Sequence, residues 1–330
     1  MTTLAEPLPK VQTRSFAVAW RETATGYLYL LPAAVILLGF HFLPVFYAFY
    51  ISVFNWRIRQ GAFVGLQNYQ NAFSNTDFWD SLKVTFYYAI GIIPATLILS
   101  FLIAYALFKA IRGRGLFRLI YFLPYITPTV AAALIFRWIF HSQQGVLNWL
   151  LASLRLPVQS WLLEPRGVGE MLLGAAGITA PTWAVGPSLA LVTIMIFTVW
   201  QSLGFSIVIM LAGLSNIPSE VYDAAKVDGA GEWTLLRRIT LPLLSPTLFF
   251  LSIVSVIGAF QSFNSIYTMT DPNHGGPLGT TRNATMYIFL NFFEFQKLGY
   301  ASAVAFILFF IVLLLTVVQM RLLGPRVHYQ

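Results

Sequence analysis

Six apolar stretches recur along this chain, at 27–53, 84–108, 119–136, 189–211, 243–268 and 301–320, and they constrain its fold more than any other feature. Each has at least the roughly 18 to 20 residues that a helix needs to cross the hydrocarbon core of a bilayer. In that medium no water satisfies an exposed N–H or C=O, so a span of this length closes its own hydrogen bonds as an α-helix. Only 10% of the 330 residues are charged and the mean hydropathy is +0.72, far from the values of a soluble domain of this size. The expected fold is an all-α polytopic membrane protein with six transmembrane helices. Pro32 and Pro44 are placed to kink the first span, and Leu123-Pro-Tyr-Ile-Thr-Pro128 to kink the third.

The formal net charge of +8 would suggest a nucleic-acid partner in a soluble protein. Here the basic residues flank apolar runs and act as topology signals. Residues 1–26 form a basic tail with Lys10, Arg14 and Arg21, and Lys109, Arg112, Arg114 and Arg118 crowd the connection after the second span. With both termini, that connection and the stretch 212–242 placed inside, the inner segments hold 12 of the 20 lysines and arginines in fewer residues than the outer ones. The bias agrees with the positive-inside rule and predicts cytoplasmic N- and C-termini in a multi-pass cell membrane protein. There is no cysteine, and the four histidines are too scattered for a metal site, so thiol and metal chemistry drop out and no metal is expected. No Ser-His-Asp set or carboxylate pair shares a face of any span, and no GxxxxGK[ST] loop is present, so neither catalysis nor nucleotide binding is expected of this chain.

Between the fourth and fifth spans lies a polar insert, Ile217-Pro-Ser-Glu-Val-Tyr-Asp-Ala-Ala-Lys-Val-Asp-Gly-Ala-Gly-Glu-Trp-Thr-Leu-Leu-Arg-Arg-Ile-Thr-Leu-Pro242. Pro218 suits a first helical turn, Glu220 and Asp223 favour its positive end, and Gly229 marks its stop. Val221, Ala224 and Ala225 share a face whose small side chains admit a close partner. Trp233, Leu236 and Ile239 predict a second amphipathic turn, closed by Pro242 and Pro246. The insert thus reads as helix, glycine turn, helix. Lys226 and Asp228 are expected to help shape this loop, since Gly229 beside Asp228 marks a backbone turn; a solvated face with a local pair is the plainer alternative.

Asp223-Ala-Ala, Gly229 six residues later and Ile239-Thr-Leu-Pro242 resemble the cytoplasmic signature loop of the permease subunits of binding-protein-dependent ABC importers. The family's first signature residue is usually Glu, where this chain has Asp223. Ile217-Pro218, Asp228-Gly229-Ala230 and Leu241-Pro-Leu-Leu244 resemble the carbohydrate-type branch, as do Val64-Gly-Leu-Gln-Asn-Tyr69 and Gly145-Val-Leu-Asn148. The resemblance implies a type I importer permease domain over 27–330, with a coupling loop at 212–242 whose Glu220, Asp223, Ala224, Ala225, Asp228, Gly229, Ile239 and Pro242 engage an ATPase. It further implies a second homologous permease subunit, two ATPase subunits that bind ATP and Mg, and an extracytoplasmic solute-binding protein that delivers a sugar. The setting implied is a prokaryotic inner membrane.

Polar residues within spans are costly unless they face a bundle interior or a wet cavity, so they are the candidate pathway. On the fifth span Gln261, Asn264 and Ser265 fall within one helical turn, interleaved with Phe260, Phe263 and Tyr267. Amides bond hydroxyls and aromatic faces stack on sugar rings, which suits a neutral polyol. Trp200, Gln201, Gly204 and Phe205 form a second cluster on the fourth span, for which close helix packing at Gly204 is an equally good account. An ion-coupled secondary transporter is the alternative, but it needs intramembrane acids or bases, and only His41 lies at mid-depth. An enzyme acting on lipid-linked sugars would need grouped acids, and Glu164, Glu170 and Asp271 are not grouped. The stretch 171–183 is apolar yet short and broken by Gly174, Gly177 and Pro181, so an external or re-entrant piece is expected there in place of a seventh span.

Overall fold

A computed structural model describes residues 16–109, 114–270 and 275–327; Lys10, Arg14, Arg112 and Asp271 lie outside them. Among the described residues no strand forms, only isolated bridges, and four helices are long and apolar enough to cross a membrane. Two further apolar segments are bent helix pairs, which completes the expected six. The chain divides into two units, residues 1–51 and 52–330.

The first unit is one apolar helix. Helix α1 (Phe16–Leu37) runs through Pro32 and passes by a π-helical turn at Leu38–Phe42 into α2 (Leu43–Ser52). Pro44 has no N–H to offer the preceding turn, and the wider turn just before it accommodates the loss without a break.

In the second unit α3 (Gln67–Ser74) leads into α4 (Thr76–Phe108), a 33-residue helix whose start is capped by the Asn75 side chain accepting from Asp77 N–H. Helix α4 packs most extensively on α9 (Leu189–Ser215). Between them in sequence come α5 (Arg114–Ile126) and α6 (Thr129–Ile139), which meet at 96°. The span expected at 119–136 is therefore bent sharply, at the kink expected of Leu123-Pro-Tyr-Ile-Thr-Pro128. Thr127 precedes Pro128, which disfavours helical backbone at Thr127. The break is held by Gln201, whose Nε2 donates to Thr129 Oγ1 at 3.1 Å and to Thr127 O at 3.4 Å.

Short helices α7 (Val146–Ser153) and α8 (Val168–Ala175) lie between α6 and α9. Residues 167–188 form an excursion closed at its base, where Gly167 pairs antiparallel with Ser188 and Leu189 N–H donates to Arg166 O. With an eight-residue helix it is not a seventh span.

Past α9, α10 (Ser219–Val227) and α11 (Glu232–Leu243) make the expected helix, turn and helix; α12 (Ser245–Phe260) leaves α11 at a 61° bend. Here the expected fifth span ends early. Phe260 is its last helical residue, 261–263 are irregular, and α13 (Asn264–Met269) starts anew, followed by α14 (Ala284–Phe289) and α15 (Leu298–Leu323).

Two apolar clusters hold α4, α9 and α12 together. One joins Leu107, Met210, Leu214, Leu244 and Leu251 near the α10 end. The other joins Phe78, Tyr88, Leu191, Phe197 and Phe260 near the opposite end. The gap between them is the first candidate site.

Candidate functional site: a hydroxyl-lined cavity and an exposed capped helix

The cavity has a volume of about 220 Å³ and sits midway along α4 and α9, against α12. Its polar groups come from Tyr88 and Thr96 on α4, Thr198, Ser202 and Ser206 on α9, and Ser255 and Ser262 at α12 and its end. Ile92, Phe205, Tyr125 and Leu251 supply apolar and aromatic walls. Among the lining residues none is charged, so the arrangement offers hydroxyl donors and acceptors and ring faces in a weakly polar setting.

Tyr88 closes one end of it. Its ring is fully buried, and its hydroxyl lies 2.9 Å from Thr198 Oγ1, 2.9 Å from Ser262 Oγ and 3.5 Å from Ser265 Oγ. Ser262 sits in the break after α12, and its carbonyl accepts from Asn283 Nδ2 and Thr285 Oγ1, each at 2.6 Å. The backbone groups freed by the broken helix thus find side-chain partners, as burial demands.

Of the eight pathway residues expected from sequence, Phe205 lines this cavity and stacks on Tyr125 with ring centroids 5.4 Å apart. Gln201 is occupied at the α5–α6 break. Gly204 marks close packing: an added Cβ would lie 2.6 Å from Tyr121 O and 3.1 Å from Phe122 Cα. Trp200 packs into the core beside Phe136, centroids 4.7 Å apart. Phe263, Tyr267 and Phe289 make an aromatic cluster outside the cavity lining. Gln261, Asn264 and Tyr267 are exposed. Placing Gln261, Asn264 and Ser265 on one turn of a continuous helix is corrected by the break at 261–263. The missed residues Tyr88, Thr96, Thr198, Ser202, Ser206, Ser255 and Ser262 did leave a signal, since they recur at intervals of four or seven to eight within otherwise apolar helices.

At the far end of α9 lies the second site. Helix α10 ends at Val227, Gly229 has φ +80°, Gly229 N–H donates to Lys226 O at 3.0 Å, and Ala230 N–H donates to Ala225 O at 2.9 Å. This paired closure around a left-handed glycine satisfies carbonyls that a helix end otherwise leaves open. Nothing lies within 4 Å of a Cβ built on Gly229, so the glycine is required by backbone conformation and not by crowding.

Glu220, Asp223, Ala224 and Asp228 are exposed, together with Val221 and Val227, the last 88% so. Val221, Ala224 and Ala225 keep their helical spacing in α10, with Ala225 the half-buried member of the three. The inward anchor is Tyr222, whose hydroxyl lies 3.2 Å from Thr240 Oγ1 and whose ring neighbours Phe108 at 6.3 Å. In α11 the buried residues are Leu235 and Thr240, with Leu236, Ile239 and Pro242 half-buried and Trp233 70% exposed. A π-helical turn over Leu235–Thr240 shifts the phase that places Trp233, Leu236 and Ile239 on one face of an ideal helix. Helix α10 begins at Ser219, with Pro218 just before it, and Lys226 pairs with Asp223 at 3.6 Å and not with Asp228.

One ion pair ties this segment to α4. Lys109 Nζ bonds Glu232 Oε2 across the open cleft between Phe108 and α10, and this carboxylate holds the Lys109 ammonium above its ordinary range. Both partners are mostly exposed, so the pair is screened and weak.

A family model described as binding-protein-dependent transport system inner membrane component matches residues 96–329. The chain is similar to the probable ABC transporter permease protein YesP of Bacillus subtilis, 33% identical over 94% of each chain. It is 32% identical to the trehalose/maltose transport system permease protein MalF of Thermococcus litoralis, over 92% of this chain and 94% of that one. Among solved structures, a bacterial ABC transporter involved in the import of the acidic polysaccharide alginate shares the fold at a TM-score of 0.75, with 19% identity over 93% of this chain and 99% of that one.

Proposed function

The chain belongs to the family of binding-protein-dependent transport system inner membrane components, and from that premise we propose that it is the sugar-conducting permease subunit of an ATP-driven importer. It is a transport component and not an enzyme. The observation that carries the reading is that α9 joins two unlike sites, an uncharged hydroxyl-lined cavity at mid-depth and an exposed, glycine-capped helix at one end. Relatives named for trehalose and maltose, for arabinooligosaccharides and for lactose support a saccharide cargo. The absence of charge among the cavity's lining residues favours a neutral saccharide over an acidic one.

In this reading α10 faces the cytoplasm and seats in a groove of an ATPase subunit. ATP and Mg are bound there and not by this chain. Two ATPase subunits, a second homologous permease and an extracytoplasmic solute-binding protein complete the assembly; a solved alginate transporter in complex with its periplasmic protein supports the last. ATPase closure moves α10, and the motion reaches the cavity through α9 and through the bend at α11–α12. Such coupling requires that nucleotide state and cargo gate bias one shared element.

The test is uptake of a labelled neutral disaccharide into vesicles holding the assembled transporter, the solute-binding protein and ATP. ATP-dependent uptake supports the reading. Uptake that persists without ATP or ATPase and follows an ion gradient overturns it in favour of secondary transport.

A further inference from the structure

The end of the molecule remote from α10 carries two chemically different sets of segments. One comprises residues 54–75 and 275–283, rich in amides and including Arg57, Arg59 and Arg282, with Arg282 Nη2 bonded to Asp77 Oδ1 at 2.8 Å. The other is the segment 146–187, which does not span and yet exposes large apolar groups. Trp149, Leu172 and Trp183 are 69%, 68% and 83% exposed, and across 168–187 the single charged residue is Glu170.

This segment is a built module. Asn148 is buried and fully used: Nδ2 donates to Ser142 O and Gln159 O, and Oδ1 accepts from Gln159 N–H and from Trp161 Nε1 at 2.7 Å. Trp161 in turn packs on Phe140, centroids 5.3 Å apart. The base of the excursion is fixed beside α4, where Gly167 and Val185 share a recess with Asp77, Asp80 and Lys83. That level is just beyond the point at which α4 becomes continuously apolar. On α6, which contacts α7, Leu134, Ile135 and Trp138 are exposed as well.

We infer that the 146–187 module is an interfacial anchor that lays Trp149, Leu172, Ile178 and Trp183 into the headgroup boundary of the bilayer leaflet remote from α10. Three observations select lipid as the occupant. Tryptophans collect at this end of the spans, where Trp79, Trp138, Trp149 and Trp183 are all exposed, as in the aromatic belts of membrane proteins. Across 168–187 the surface carries a single charge, Glu170, with the exposed Arg155 and Arg166 preceding that stretch in sequence. Its exposed apolar groups also add to those of α6, in a chain whose apolar helices are long enough to cross a bilayer, and many apolar groups open to water are unfavourable. The inference rests on the membrane assignment alone, so it stands or falls independently of cargo and energy source.

The absence of cysteine makes the test direct. Spin labels are placed one at a time by Leu172→Cys, Ile178→Cys and Trp183→Cys, with Ile58→Cys, 77% exposed between Arg57 and Arg59, as the aqueous control. The full chain, purified with its partner subunits, is reconstituted in vesicles of phosphatidylethanolamine and phosphatidylglycerol. Collision with oxygen and with a water-soluble nickel chelate is then compared. The expected result is oxygen-dominated relaxation at the three module positions and nickel-dominated relaxation at residue 58. Nickel-dominated relaxation at the module overturns the anchor, and low accessibility to both reagents with an immobilised spectrum overturns it in favour of a protein neighbour. As a readout free of labels, Trp183→Phe is expected to lower the fraction of fluorescence quenched by brominated phospholipid, and an unchanged fraction counts against the anchor.

Discussion

The mid-depth cavity and the short helix α10 lie roughly 25 Å apart along α9 by helical rise, and they differ in nearly every physical respect. The cavity is bordered by α4, α5, α9 and α12 and takes its polarity from hydroxyls that no single stretch of sequence brings together. Helix α10 is nine residues long, carries acids at its first turns and closes on its own glycine. One site is a product of packing; the other is a product of local backbone chemistry. A fault in α10 should therefore break communication while leaving the bundle intact, and a fault in the cavity should do the reverse.

The largest expected effect comes from Gly229→Val. A Cβ at φ +80° costs about 1–2 kcal/mol, and a β-branched side chain is the least tolerant of that conformation. ATP-dependent uptake is expected to fall at least about tenfold, since 1.4 kcal/mol already corresponds to a factor of ten, with insertion and expression unchanged. Gly229→Asn, which enters the left-handed region more readily, is expected to keep most of the uptake. Equal loss in both variants would point to a contact at the glycine in place of a turn.

The same contrast explains what could be read in the sequence and what could not. The turn at Gly229 was legible because its signals, acids, small residues and glycine, act within one or two helical turns. So was the count of apolar segments, which follows from length and hydropathy. The phase of α11 was not legible, because a π-helical turn moves Leu235 and Thr240 inward and leaves Trp233 outside. The bend at 127–128 was legible as the kink of Leu123-Pro-Tyr-Ile-Thr-Pro128, but the break at 261–263 was not, because it persists through the remote Asn283 and Thr285, which satisfy the freed carbonyl of Ser262. Amides drew attention to Gln261 and Asn264 as the more polar groups, whereas the cavity is lined by less polar serines and threonines that the helices bring to one level.

The second prediction addresses the cavity. Ser202→Leu combined with Ser255→Leu fills it with apolar volume and removes two hydroxyls. Uptake of a neutral disaccharide is expected to drop by about tenfold or more, in line with the 1–3 kcal/mol that such pocket changes carry. ATPase docking, read by co-purification, is expected to be unchanged; its loss would erase the separation of the two regions. A smaller effect is expected of Gln261→Leu with Asn264→Leu, both exposed, with uptake staying within about twofold of the parent. A loss matching that of the serine pair would extend the pathway beyond the enclosed space.

The smallest effect concerns Lys109. Its ionisation is raised by Glu232, so the folded state favours the charged form. Any stability from this source is fully present at neutral pH and is lost only as pH rises through the folded value, above the ordinary lysine range of about 10.4. Lys109→Gln should therefore leave thermal stability between pH 6 and 9 nearly unchanged, as expected of an exposed, screened pair. A clear change in melting temperature across that range would give the pair a structural weight that its exposure does not suggest.

The central claim, that α10 transmits work from a separate ATPase to the cavity, is tested most directly by crosslinking at Val227, which is 88% exposed at the end of α10. Val227→Cys is bridged to single cysteines along the ATPase surface in vesicles that also report uptake. The account predicts an intermolecular bridge that forms in the assembled transporter, blocks ATP-dependent uptake and releases the block on reduction. Full uptake with the bridge in place, or no bridge to any ATPase position in an active transporter, would contradict it.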